Sequence, residues 1–203
     1  MPIIETAPFG LILWAALGYL LGSIPFGMVL AKIMGLGNLR DIGSGNIGAT
    51  NVLRTGSKKA AALTLLLDGG KGAVAVLMAR CVAAEDAAQL AGLMAFMGHC
   101  YPVWLGFKGG KGVATFLGLL LALAWPVGIA CCLTWLATAA VSRISSLSAL
   151  VAACASTLWM LVLGFSSAAC LSLALTGIIL WRHRENLTRL RSGTEPKIGS
   201  KKS

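Results

Sequence analysis

The sequence predicts an all-α integral membrane protein of about seven transmembrane segments, some short or broken, with the N-terminus outside and the C-terminus cytoplasmic. Three observations predict it. Hydrophobic residues make up 57% of the chain and charged residues 12%, whereas a soluble domain carries about 25% charged. The apolar residues gather into runs of helix length, divided by short polar, glycine-rich stretches. The basic residues behind the formal charge of +10 flank these runs rather than forming a patch, a distribution that membrane orientation explains without nucleic acid.

The first run, 8–34, exceeds the ~20 apolar residues a helix needs to cross the hydrocarbon core, and Gly22-Ser23-Ile24-Pro25-Phe26-Gly27 should bend or loosen it. It lacks a basic n-region and a small-residue cleavage motif, so we expect it to be retained. Further runs follow at about 60–84, 87–107, 112–124, 126–141, 147–164 and 166–181. The run 112–124 would be only ~20 Å long as a helix against a core of ~30 Å, so some members must be half-helices, re-entrant, or longer than these bounds. If two weak runs do not cross, five segments remain and the tail keeps its side.

Charge placement sets the orientation. In the seven-segment arrangement Arg40, Arg54, Lys58 and Lys59 fall in the first loop, Lys108 and Lys111 in the third, and Arg143 in the fifth. Arg182, Arg184, Arg189, Arg191, Lys197, Lys201 and Lys202 fall in the tail, and all of these loops lie on one side, which the positive-inside rule makes the cytoplasm. The chain reads as one transmembrane domain, 1–203, with a basic cytoplasmic tail from about 182. Asp68 and Lys71 are the exception. If 60–84 is one helix they lie ~12–17 Å inside it, a costly depth unless they pair or meet a polar cavity. Alternatively the helix starts near Gly70, which keeps both shallow.

Four polar stretches carry the chemistry: 43–54 (G-S-G-N-I-G-A-T-N-V-L-R), 68–72 (D-G-G-K-G), 108–115 (K-G-G-K-G-V-A-T) and 183–186 (H-R-E-N). Backbone N–H groups freed by glycine, beside Lys, Arg, Asn, Ser and Thr, are the ingredients of an anion cradle. The two G-G-K-G tetrapeptides each precede an apolar run. Each reads either as a cradle at a helix start or as a glycine turn with a snorkelling lysine. Their spacing is not that of a P-loop, which excludes nucleotide hydrolysis by that motif. In 43–54, Ser44, Asn46, Thr50, Asn51 and Arg54 surround Gly43, Gly45 and Gly48. The arginine can hold a phosphate bidentately and the short donors a polyol beside it; the alternative is a solvated turn or helix cap. His99 is either a hydrogen-bonded structural histidine or a base, and adjacency argues against a Cys100–His99 dyad, because neighbours on a helix point ~100° apart. His183 and Asn186 sit where the last run exits, as substrate contacts or as a complement to the helix dipole. The six cysteines show no C-x-x-C pair and no metal-ligand spacing, so we read them as small buried hydrophobes and expect no metal.

The 43–54 stretch, the 108–115 loop, Gly98-His99 with Pro102, Ser145-Ser146 and the 183–186 tail occur in this order on a small hydrophobic chain. Together they closely resemble the bacterial acyl-phosphate:glycerol-3-phosphate acyltransferase family, the PlsY type, over nearly the whole length. The resemblance implies a multi-pass inner-membrane enzyme of phospholipid biosynthesis with its active site at the cytoplasmic face and no cofactor. Such an enzyme moves a fatty acyl group from acyl phosphate to the 1-position of sn-glycerol 3-phosphate, giving lysophosphatidic acid and phosphate. Consistent with that family, no H-x-x-x-x-D motif follows His99, since Cys100-Tyr101-Pro102-Val103 leads to Trp104. The resemblance implies that Lys111, with the amides of Gly109 and Gly110 and with Ser44, holds the acyl phosphate, and that Gly112 is a further substrate-binding residue. Arg54, Asn51, His183 and Asn186 would hold glycerol 3-phosphate, with Gly43, Asn46, Thr50, Ser145 and Ser146 lining the site. A substrate phosphate, whose second pKa is ~6, can take the hydroxyl proton, with His99 or His183 as alternatives. The partners are then the two substrates and membrane lipids, not nucleic acid. The rival reading is a phosphate or organic-anion transporter, which would place its site at mid-membrane between structural repeats.

Overall fold

A proline and a pair of glycines break the first apolar run, as expected. Helix α1 (Pro8–Gly22) ends before Pro25, and α2 (Phe26–Ile33) resumes after it. The computed structural model describes residues 1–199; Lys201 and Lys202 of the predicted tail lie outside the described residues. The remaining helices are α3 (Ala49–Leu53), α4 (Lys58–Val82), α5 (Glu85–Cys100), α6 (Val113–Leu123), α7 (Trp125–Ser142), α8 (Ser145–Val162), α9 (Ala169–Arg182) and α10 (Arg184–Arg191), with no strand among the described residues. Each of the seven predicted runs holds a helix. Four stretches are long and apolar enough to cross a membrane: Pro8–Ile33, Lys58–Val82, Trp125–Ser142 and Ser145–Val162.

Two predicted boundaries need correction. The run 87–107 is α-helical only to Cys100, because Pro102 cannot continue the helix and the chain turns away through a short 3-10 turn at Val103–Leu105. The alternative of a helix starting near Gly70 also fails: α4 is continuous through 58–82 and places Asp68 ten residues, or ~15 Å, from its start. Three glycines inside a helix, Gly69, Gly70 and Gly72, cost about 1 kcal/mol each relative to alanine. What offsets this is the close approach of α6. A Cβ on Gly118 would run into the Gly69 carbonyl oxygen, and one on Gly72 would lie 2.7 Å from that of Thr115. The first G-G-K-G is therefore a packing seam in mid-helix, not a cradle at a helix N-terminus.

Small residues bring the other helices together in the same way. Gly18 and Gly22 of α1 meet the backbone of Ala91 and Ala95 on α5, small residues one turn apart that let membrane helices touch. Between α8 and α9 hydroxyls form the seam: Ser156 to Ser172 at 2.6 Å, Thr157 to Ser172 at 3.0 Å, and Thr176 donating to the Ala153 carbonyl at 2.8 Å.

Helix α6 is not extended beyond its predicted length; it starts deep. The Thr115 hydroxyl donates to the Asp68 carbonyl at 2.8 Å, and Gly112 packs on the Phe96 ring. The segment 101–112 runs back along the last turns of α5, with Gly110 N–H donating to His99 O at 3.0 Å and Gly109 N–H to Cys100 O at 3.1 Å. The chain thus doubles back before α6 begins. At the opposite end, the Asp86 carboxylate accepts from the Glu5 and Thr6 amides and the Thr6 hydroxyl. The N-terminus and the α4–α5 turn thus share one end, as the alternating arrangement requires. Arg80 there pairs with Glu85 at 2.9 Å and donates to the carbonyls of Ala122 and Leu123, closing the last turn of α6.

Candidate functional site

The 43–54 loop is built around one buried amide. Gly43 and Gly45 take positive φ (56° and 66°), which turns the chain back onto α3. There the Asn51 Oδ1 accepts from the Ser44 amide at 3.1 Å, the Ser44 hydroxyl at 3.4 Å and Arg54 Nη1 at 3.2 Å. Its Nδ2 donates to the carbonyls of Leu39 (3.0 Å) and Asn46 (2.7 Å). Both amide protons and the oxygen are engaged. Asn51 thus braces the loop from within. Ser44, Thr50 and Arg54 are exposed around it, and Asn46 is half-buried with its Oδ1 on the Ile47 amide.

Two arginines clamp the re-entrant loop. Arg40 donates to the Gly45 carbonyl at 3.1 Å and to that of Lys108, tying it to the first loop. Arg182, stacked over the Tyr101 ring at 5.0 Å, donates to the carbonyls of Gly110 (3.1 Å) and Gly109 (3.0 Å). The amides of Gly109 and Gly110 themselves close the end of α5. The open donors follow at the start of α6. Gly112 is left-handed (φ 81°) and α6 has no side-chain N-cap, so the first-turn amides of α6 have no intrahelical partner.

Lys111 reaches from this turn to the other half of the molecule. Its Nζ donates to Asn186 Oδ1, and Asn186 Nδ2 in turn donates to Glu195 Oε1 at 2.5 Å. Ser146 and Arg189 donate to the same carboxylate, each at 2.7 Å. Thr50 and Ser145 meet at 3.2 Å, joining the first loop to the start of α8. His183 is buried, with Nδ1 2.9 Å from the Ile179 carbonyl; the proton is assigned to Nδ1, leaving Nε2 as acceptor. Burial pushes His183 down to about 4, and burial, with Arg189 beside it, lowers Lys111 to about 8. Burial works against the Glu195 charge, but hydrogen bonds from Ser146, Asn186 and Arg189 outweigh it and hold the carboxyl below its ordinary value.

The structure therefore regroups the predicted residues. Ser44 sits with Asn51 and Arg54, whereas Lys111 sits with Asn186, and Ser145 and Ser146 lie between the two halves. His99 is buried in α5 behind Gly110, with Nδ1 3.6 Å from Asp68 Oδ1. Glu195, Arg40 and Arg182 were missed as site residues. The only sequence signal for Glu195 is that it is one of two acids in a basic tail; the arginines read simply as topology charges.

This geometry sits in a chain with known relatives. Residues 12–193 match the glycerol-3-phosphate acyltransferase family, and the chain belongs to that family. It is 72% identical over 201 residues to a glycerol-3-phosphate acyltransferase of Ruegeria sp. (strain TM1040), covering 99% of this chain and 100% of that one. It is 67% identical over 203 residues to one of Cereibacter sphaeroides (strain ATCC 17025), covering 100% and 97%. Among solved structures, the glycerol 3-phosphate form of PlsY (YgiH), an integral membrane glycerol 3-phosphate acyltransferase, superposes with a TM-score of 0.88 at 40% identity, covering 93% of this chain and 96% of that one. The lysphosphatidic acid form of PlsY (YgiH) gives 0.85 at 37% identity, covering 93% and 95%.

Proposed function

We propose that this protein is an integral membrane enzyme that transfers a fatty acyl group from acyl phosphate to the 1-hydroxyl of sn-glycerol 3-phosphate, at the cytoplasmic face of a bacterial inner membrane. The observation that carries the reading is convergence. Stretches 43–54, 108–112, 145–146 and 183–186 meet through Arg40 on the Lys108 carbonyl, Thr50 on Ser145 and Lys111 on Asn186. Family membership supplies the acceptor; the activated donor fits the absence of any serine or cysteine nucleophile paired with a base among these side chains.

An acyl phosphate is already a mixed anhydride, so the protein needs to position and neutralise rather than attack. The glycerol hydroxyl oxygen attacks the acyl carbonyl carbon; the new ester C–O bond forms, the C–O bond to phosphate breaks, and phosphate leaves with the electron pair. The hydroxyl proton passes to a phosphate oxygen of the substrates, whose second pKa is ~6. In this reading Lys111 and the open amides of α6 face the donor phosphate, with Asn186 and His183 on the same side. Arg54 and Ser44 face the phosphate of glycerol 3-phosphate. Buried and neutral, His183 is the alternative proton acceptor. We place His99, which lies behind Gly110, outside the proton path.

Purified protein given acyl phosphate and glycerol 3-phosphate should yield lysophosphatidic acid and one equivalent of phosphate. Product from acyl-CoA alone would overturn the donor. Uptake of glycerol 3-phosphate into protein-loaded vesicles without acyl transfer would favour the transporter. The orientation is tested separately: a cysteine at Ser57, in a background without the native cysteines, should resist an impermeant thiol reagent added from the periplasmic side.

A further inference from the structure

One buried cluster of charged and titratable side chains is not used by the reaction above. Asp68, Lys71 and His99 are 2%, 3% and 4% exposed, in the interior of the helix bundle. Lys71 Nζ lies 2.9 Å from Asp68 Oδ1 and donates to the Ile24 carbonyl, also at 2.9 Å, at the break between α1 and α2. His99 Nδ1 stands 3.6 Å from the same Oδ1. The Asp68 backbone carbonyl accepts from Thr115 in the first turn of α6. The α1–α2 break, α4, α5 and α6 each contribute a group to this one point.

A buried ion pair adds little to stability, because desolvation of both charges consumes most of their attraction. Its placement is more informative. The His99 imidazole is pressed against Gly110, where a Cβ would run into Nε2, and the His99 carbonyl accepts the Gly110 amide. Gly110 is the residue before Lys111. A shift of the imidazole must therefore move the loop that presents Lys111.

We propose that Asp68 and Lys71 are positioning residues: acting through His99 and Gly110, their ion pair fixes where the 108–112 loop presents Lys111 and the start of α6. The inference rests on the acyl-transfer reading of that loop. Removing one charge strands the other, so single variants lose stability and activity together. The decisive variant is Asp68→Leu with Lys71→Met, which replaces the pair by apolar groups of similar volume and is expected to keep the thermal midpoint close to that of the parent. Its kcat should nevertheless fall about 10- to 100-fold, the cost of misplacing a reacting group by roughly an ångström. The KM for acyl phosphate should rise while that for glycerol 3-phosphate stays near the parental value.

A second readout does not depend on turnover. In a background without the six native cysteines, a thiol introduced by Lys111→Cys should react faster with a methanethiosulfonate when the pair is replaced than when it is intact. If the double variant does not accumulate, Asp68→Asn with Lys71→Gln, which keeps both volumes and strands no charge, carries the same comparison in isolated membranes. Parental kcat together with an unchanged labelling rate would overturn the proposal. Failure of the parent to use acyl phosphate would overturn the donor assignment instead, and the labelling rates would still decide the positioning.

Discussion

The same four residues, Gly-Gly-Lys-Gly, occur at 69–72 and at 109–112, and the fold uses them in opposite ways. At 69–72 they are part of a 25-residue helix; the glycines admit α6, and Lys71 is neutralised by the aspartate three residues before it. At 109–112 they form a re-entrant loop whose last glycine is left-handed and whose lysine crosses to Asn186. Flanking residues decide between the two. Ala60–Leu67 before the first copy and Ala73–Leu77 after it sustain a helix through the glycines. Before the second copy, Pro102 ends α5, and Gly106 and Phe107 both take positive φ. A short motif has no intrinsic role; the chain on either side sets whether its amides are bonded inward or left open.

The comparison can be broken most decisively at its lysines. Lys111→Ala should lower kcat/KM by about 10²–10³, the scale on which a transition-state donor is removed, while the protein still inserts and purifies. Lys111→Arg should also fail, because a planar guanidinium does not fit where the backbone approaches closely. Near-parental turnover in either variant would return the second copy to the status of the first.

Arg54 tests whether the second copy works alone. Loss of one charge-assisted contact of ~1.5–3 kcal/mol should weaken capture of glycerol 3-phosphate by roughly 10- to 150-fold. Arg54→Lys should recover part of this. Initial rates against each substrate in turn check it; a raised KM for acyl phosphate alone would mean that the two halves of the site have been assigned the wrong way round.

Glycines at matching places in the two copies should respond with opposite sign. Nothing lies within 4 Å of a Cβ on Gly70, so Gly70→Ala should stabilise α4 by up to about 1 kcal/mol and leave turnover unchanged. A Cβ on Gly110 meets the His99 ring, so Gly110→Ala should cost about 1–3 kcal/mol through overpacking and reduce activity as the loop moves. Thermal midpoints of the two variants in one detergent decide it.

The smallest effect is a pH dependence. Burial holds Lys111 at about 8 in the free protein. As a cation it contributes fully below that pH and is lost as pH rises through it, so kcat/KM for acyl phosphate should decline above about pH 8, approaching tenfold per unit. A profile flat from pH 7 to 10 would rule out this charge as the one that matters.

Much of the fold was legible along the chain, because partition into a bilayer depends on local composition. The seven apolar runs, the break at Pro25 and the shortness of 112–124 each follow from a window of residues, and each has its counterpart in a helix or its interruption. The polar stretches announced themselves by the same contrast. The sequence could not show which donors remain available once the chain is folded. Asn51 and the Gly109 and Gly110 amides have the right chemistry for an anion, yet Leu39, Asn46 and the end of α5 occupy them. Glu195 lies 49 residues from Ser146 and Asn186 lies 75 from Lys111; no local pattern couples such positions. A hydrogen-bonding group has a fixed capacity, and only the tertiary structure, by bringing distant segments within 3 Å of one another, decides which part of that capacity is left for a ligand.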